Sequence, residues 1–183
     1  MEEQLELRMY GLIPYQLSNT IHAGIQYGHS VVEYALKYSD TNLYQDWAKN
    51  YKTFIILNGG TTNLSDTFPG TLNQNLEIIK TLNIPYSIFN EPDLGDQLTA
   101  ITFIVDERVF NKKKYPDFRE YLEYTAYSPV GVKRDIKKHC KKKPLVEPKI
   151  ELIFNDEYKE WVNKIGGETN VKLRDFLKNF RLA

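Results

Sequence analysis

The stretch KTFIILNGG at residues 52–60 constrains the fold of this chain more than any other. Phe54, Ile55, Ile56 and Leu57 follow one another with no polar residue between them, and Gly59 and Gly60 close the run. A strand with one wet face alternates apolar and polar side chains, so an unbroken apolar run calls for cover on both faces. Residues 52–60 are therefore expected to form a central strand between two layers of helices.

The neighbouring stretches supply those layers. LELRMYGLIPY gives a first strand at 6–13, and Ser18, Asn19 and Thr20 then offer capping side chains to a helix that runs to about Lys37. Its apolar positions Ile21, Ile25, Val31, Val32, Ala35 and Leu36 mark the expected buried side. A second helix at 43–49 carries Trp47, and 61–71 is loop by composition. Residues 72–83 form a helix with Leu72, Leu76, Ile79 and Leu82 inward. Strands follow at 84–93, stopping at Pro92, and at 98–110. Helices alternating with short apolar strands predict an α/β fold, a mixed and largely parallel sheet of about four strands with helices on both faces.

The character of the chain changes near residue 110. A helix is expected at 116–127, and KRDIKKHCKKK (133–143) then holds seven Lys or Arg against one Asp. Two closing helices are separated by Gly166 and Gly167, with Phe176, Leu177 and Phe180 turned toward the body. The expected organisation is an α/β domain at 1–110 and a helical, partly basic extension at 111–183 packed on it.

Bulk properties narrow the functional classes. A formal net charge of zero gives no global attraction to nucleic acid or membranes. The single Cys140 precludes an internal disulfide and fits a reducing compartment. The acidic start MEEQLELRMY is unlike a signal peptide, and no apolar run nears the roughly 20 residues of a membrane span, so a cytoplasmic protein is expected.

Candidate chemistry gathers on the first helix. His22, Gln26 and His29 are spaced i, i+4, i+7 and share one face with Ser30 and Glu33. Imidazoles supply acid–base capacity near neutral pH, and the amide supplies hydrogen bonds. Glu33, four residues past His29, is expected to be a solvated charge. The two histidines are about 10 Å apart in helical rise, too far to share one metal ion easily, and no metal-binding motif is present. No metal or cofactor is expected. Asn58 ends the 52–60 strand, and Asn90, Glu91 and Asp93 end the next. Were those strands neighbours, Asn58 and Glu91 would share one sheet edge with the start of the first helix, where open α/β sheets bind ligands. The basic run, with Lys112, Lys113 and Lys114, offers a phosphate-binding patch.

The order of these pieces resembles the type 2 peptidyl-tRNA hydrolase family. The family's helix signature K-x-A-A-Q-x-x-H-A is similar to HAGIQYGHS, with Gln26 and His29 on the glutamine and histidine and His22 on the lysine. QDWAKNYKTFIILN resembles the family's tryptophan-bearing helix and K-I-V-L-K strand, with Asn58 at the final lysine. LEIIKTLNIPYSIFNEPDL resembles the helix and G-L-P-x-x-x-I-x-D-A-G strand, with Glu91 on the aspartate, and LTAITFIV resembles the closing T-V-L-A-I strand, with Thr99 at its start. The likeness covers about residues 6–107. Histidine, asparagine and glutamate replace lysine, lysine and aspartate at positions 22, 58 and 91, and the family's R-T-Q segment is shortened to PDLGDQ. The divergence and the helical tail resemble bacteriophage-encoded proteins, which would work in a host cytoplasm.

The resemblance implies a hydrolase that cleaves the ester of a peptidyl-tRNA or a related nucleotide-containing substrate. Glu91 or His29 would activate water, while His22 and Gln26 stabilise the reacting group. Asn58, Thr99, Ser30 and Asp93 would contact substrate, and Lys133, Arg134, Lys137 and Lys138 would hold phosphates. It also implies a homodimer. Two alternatives stay open: cleavage of a small cyclic or ADP-ribose-type nucleotide with His22 and His29 as an acid–base pair, and sequestration of such a ligand without turnover.

Overall fold

The computed structural model describes residues 4–17, 19–126 and 154–183. The chain divides into two compact units, one of residues 1–107 with 172–183 and one of residues 108–171. Among the described residues no helix is long and apolar enough to cross a membrane.

The first unit is α/β. Its strands β1 (Leu7–Pro14), β2 (Thr53–Gly60), β3 (Tyr86–Glu91) and β4 (Gln97–Asp106) form one mixed sheet in the order β2-β1-β4-β3. β1 and β2 are parallel, with Arg8 opposite Thr53 and Leu12 opposite Leu57. β4 runs antiparallel to both β1 and β3. The expectation of a largely parallel sheet is thus corrected, since two of the three pairings are antiparallel. The reason lies between β3 and β4, where only residues 92–96 intervene. A connection that short joins antiparallel strands, whereas a parallel pair needs a crossover of a dozen residues or more.

β2 is an edge strand rather than the central one its sequence predicts. The centre belongs to β1 and β4, buried along almost their whole length, while Phe54 of β2 is half exposed. The outer edge of β2 takes up residues 181–183 instead. The Asn58 N–H donates to the Arg181 carbonyl at 3.0 Å, the Ala183 N–H donates to the Ile56 carbonyl at 3.1 Å, and Leu57 bridges to Leu182. Backbone groups that an edge would leave open are paired there. β4 ends at Asp106, short of the expected 110, because Asp106 already faces Leu7, the first residue of β1.

Helices cover both faces of this sheet. On one side α1 (Thr20–Tyr38) and α2 (Asn42–Asp46), which continues into a π-helical turn (Trp47–Tyr51), pack with Leu7, Met9, Ile13, Ala100 and Ile104. On the other side α3 (Thr71–Thr81) brings Leu72 against Leu12 and Gly59. Leu72, Leu76, Ile79 and Leu82 are all buried, as their spacing predicts.

α1 turns the other way from its predicted orientation. Ile21, Ile25, Val32 and Leu36 are exposed, Val31 and Ala35 are half buried, and the buried side carries Gln26, Tyr27, Ser30 and Tyr34. The sheet dictates the choice. Its α1-facing side carries Ser87, Thr99 and Thr102, all fully buried, and hydroxyls without partners there are costly. Gln26 and Ser30 supply those partners: Ser87 Oγ donates to the Ser30 carbonyl at 2.7 Å, and the Ser30 and Thr102 hydroxyls bond to each other. Gly11 adds a flat seat for the Tyr27 ring, whose hydroxyl donates to the Met9 carbonyl at 2.9 Å. Two tyrosines with satisfied or buried bodies contribute more apolar area than the aliphatic row.

The Tyr34 hydroxyl is the exception. The residue is 0% exposed, its oxygen has no hydrogen-bond partner among the described residues, and burial pushes the phenol pKa up. Tyr34→Phe removes the unmet group and keeps the ring. It is expected to stabilise the unit by about 1 kcal/mol, read as a higher denaturant midpoint at unchanged slope.

In the second unit, α4 (Glu107–Phe110) begins at the boundary, and α5 (Phe118–Ala126) packs on α6 (Asn155–Lys164). Phe118 meets Tyr158 edge-on at 5.1 Å, and the Trp161 indole donates to the Pro116 carbonyl at 2.9 Å. Gly166 and Gly167, with φ of 91° and 101°, make the turn into α7 (Glu168–Leu177). From residue 172 onward the chain belongs to the first unit, where Phe176 is buried and Leu177 and Phe180 are half buried. The basic run 133–143 and Cys140 lie outside the described residues.

Candidate active site

Because β1, β2 and β3 point the same way and β4 opposes them, the ends of the first three and the start of the fourth lie along one edge of the sheet. α1 begins at that edge as well. Its N-cap is Asn19, whose Oδ1 accepts the backbone N–H of His22 at 2.9 Å. The cap sets the helix so that Gln26, two turns in, faces the β3–β4 end of the edge.

There a β-bulge changes what the sheet presents. Phe89 pairs with Ala100 and Asn90 with Leu98, which leaves Thr99 as an extra residue in β4. Along a regular strand Thr99 would face α3, opposite to Ala100. The bulge re-aims it, so Thr99 and Ala100 both face α1. Thr99 Oγ1 donates to Gln26 Oε1 at 2.6 Å and lies 3.3 Å from the Phe89 carbonyl. At its other end the Gln26 amide donates from Nε2 to Glu91 Oε2 in a short hydrogen bond. An ionised carboxylate only accepts, so Glu91 requires the NH₂ end of the amide and Thr99 meets the carbonyl end. Gln26 is therefore a buried bar locked at both ends, holding one oxygen of a half-buried carboxylate. The second oxygen of Glu91 has no hydrogen-bond partner among the described residues.

His29 lies one turn along α1 and stacks on Phe89, with ring centroids 4.5 Å apart and planes 22° from parallel. Phe89 and Glu91, two apart on β3, face α1 together. The imidazole is exposed, and among the described residues it forms no hydrogen bond with Glu33. His22 is exposed in the first turn, four residues before Gln26. The structure thus brings His29, Gln26, Glu91 and Thr99 together, with His22 on the rim.

Other expected site residues fall elsewhere. Ser30 is fully buried one turn below Gln26, its hydroxyl held by Thr102 and by the Tyr27 carbonyl at 2.9 Å, so it positions α1 and does not meet a ligand. Asp93 is exposed in the 3₁₀ turn Pro92–Leu94. Asn58 and Glu91 are not on neighbouring strands: β1 and β4 stand between β2 and β3, which at about 4.8 Å per strand places the two roughly 14 Å apart. Asn58 Oδ1 accepts the Gly60 N–H at 2.9 Å, which shapes the strand exit. It also lines a cleft of about 270 Å³ with Ile13, Pro14, Leu17 and Ala23, beside the first turn of α1. Lys133, Arg134, Lys137 and Lys138 lie outside the described residues.

Phe89 and the bulge had no part in the sequence reading. Phe89 carried a signal, being two residues before Glu91 on one strand face; the bulge carried none. Chemically, the cluster offers a carboxylate with one oxygen fixed and one available, and an exposed imidazole, His29, stacked on Phe89 two residues before it. Among the described residues no three His, Cys, Asp or Glu side chains are grouped to hold a metal ion. No protein-family model and no curated protein sequence matches the chain.

Proposed function

We propose that the chain is a hydrolase of the type 2 peptidyl-tRNA hydrolase kind, acting on an ester that joins an acyl group to a nucleotide. The observation that supports this most is the Thr99–Gln26–Glu91 line, which orients a carboxylate at a sheet edge, with His29 one turn along α1 and stacked on Phe89 of the same strand face. In this reading Glu91 takes a proton from water as the hydroxide oxygen adds to the ester carbonyl carbon. The bond from that carbon to the ribose oxygen breaks, and His29 gives the leaving oxygen its proton. Gln26 is a positioning residue: it acts through Glu91. His22 sits where substrate would enter.

A second reading, a compact ligand such as a cyclic or ADP-ribose-type nucleotide that is cleaved or sequestered, has one observation in its favour. Asn58, a residue the ester reading assigns to substrate, is three strands from Glu91, so the pieces that converge suit a smaller molecule.

The test is turnover by the wild type and His29→Ala of two sets, acetyl-aminoacyl-tRNA and a panel of such nucleotides. Ester cleavage that drops by about 10²-fold or more in the variant supports the first reading. An intact ester with a nucleotide cleaved or retained supports the second. Neither cleavage nor retention removes both.

A further inference from the structure

The cleft beside the first turn of α1 is left without a task by the catalytic reading. Its volume is about 270 Å³, and Gln26, His29, Glu91 and Thr99 do not line it. Its walls are mostly aliphatic: Ile13 and Pro14 from the end of β1, Leu17 from the connection that follows, and Ala23 from α1. No charged side chain lines it. A phosphate or a carboxylate would therefore enter with no cation to meet it and would lose its hydration without return.

Two carboxamides set its polarity. Asn19 and Asn58 both border the cleft, and a backbone N–H orients each of them. Asn19 Oδ1 accepts from His22 and Asn58 Oδ1 accepts from Gly60, both at 2.9 Å. A backbone N–H only donates, so it fixes the oxygen end of each amide and leaves the NH₂ end for other partners. Neither NH₂ group has a hydrogen-bond partner among the described residues. The cleft thus offers donors beside aliphatic walls, and its complement is a molecule with acceptors on an apolar body.

We propose that this cleft binds a neutral, acylated amino-acid residue with an aliphatic side chain. Its carbonyl oxygens would accept from Asn19 and Asn58, and its side chain would lie against Ile13, Leu17 and Ala23. The size agrees, because the volume falls just below the roughly 300–1,000 Å³ of pockets for drug-sized molecules and suits a single residue. A nucleobase matches less well. Adenine, guanine and cytosine all carry an exocyclic amino donor beside their acceptors, and amide oxygens already engaged meet it poorly. A free amino acid brings an ammonium group that two NH₂ groups cannot receive and no lining carboxylate neutralises. The proposal is independent of the hydrolase reading, since occupancy is read without turnover.

Titration of the ¹⁵N-labelled full chain with N-acetyl-leucinamide, followed by two-dimensional NMR, tests it. The side-chain NH₂ signals of Asn19 and Asn58 and the backbone signal of Ala23 are expected to move together and saturate, with a Kd on the order of 1 mM for so small a ligand. N-acetyl-glycinamide, which lacks the side chain, and leucine, which carries the ammonium, are expected to bind about 10-fold more weakly or worse. Asn19→Asp and Asn58→Asp keep an acceptor for His22 and Gly60, so the helix cap and the strand exit persist while the donor is lost. Each is expected to weaken binding by about 10-fold. No saturating shift at these three residues up to about 20 mM, well above that Kd, overturns the proposal. Equal binding of the glycine or leucine probe does so as well, as does unweakened binding by both Asp variants. Tighter binding of uridine overturns it too, by making the cleft a base pocket. The probe series needs no variant, so it decides the matter even where an Asp variant folds poorly.

Discussion

Under the proposed hydrolase reading, Glu91→Gln is expected to reduce ester turnover by about 10²- to 10⁴-fold, the contribution of a general base, while leaving the fold in place. The substitution separates the two jobs of this side chain. A glutamine at 91 still offers a carbonyl oxygen to the Gln26 Nε2–H, so the Thr99–Gln26 line can persist and α1 has no reason to move. What is lost is the charge. A charge-assisted bond becomes a neutral one, a cost to stability of about 1 kcal/mol. The proton acceptor is gone altogether. Turnover and a thermal melt on one preparation check the expectation: a lost kcat with a nearly unchanged melt places the chemistry on Glu91. Turnover that survives with the same melt assigns Glu91 a purely structural part.

Gly11→Ala is expected to have the largest effect on the fold, about 3 kcal/mol, the upper end of what overpacking a core commonly costs. Gly11 lies in the central strand β1, paired on both sides with Ile56 and Thr102. A Cβ there would overlap two carbons of the Tyr27 ring. That ring cannot simply swing aside. It is 4% exposed, bonded to the Met9 carbonyl, and packed edge-on against Phe54 at 5.8 Å. Displacing it displaces α1, and with it Gln26, the next residue along. The loss should therefore appear both as a lower denaturant midpoint and as weaker turnover of the remaining folded fraction. Gly11→Ala/Tyr27→Leu, which makes room for the methyl group, should recover part of the loss relative to Gly11→Ala alone. Without that recovery, the clash is not the cause.

How far the sequence could be read depended on whether competing patterns were present. In α3 a single apolar row, Leu72, Leu76, Ile79 and Leu82, stood against polar neighbours, and its orientation followed from spacing. α1 offers two rows, one of aliphatics and one of tyrosines with small polar residues. The choice between them rests on hydroxyls of β3 and β4 that are distant in sequence. The edge position of β2 is hidden from its sequence for a related reason: an apolar run states that cover is needed, but not that residues 181–183 provide it. In the candidate site, Gln26 and His29 show as part of a polar stripe on α1 and Glu91 as a carboxylate at a strand end, whereas Thr99 comes only from the family resemblance. The distance of Asn58 from them does not show, because strand order is set by connections rather than by composition.

Thr99 leaves the ladder unusually easy to shorten. Were that one residue deleted, Ala100, Leu98 and Gln97 would pair in unbroken alternation with Phe89, Asn90 and Glu91, each on the face it already occupies. The architecture would survive and only the hydroxyl behind Gln26 would vanish. Among distant relatives of this chain, a one-residue difference in length at the start of β4 would thus separate chains able to brace the glutamine from chains that retain the scaffold without the brace.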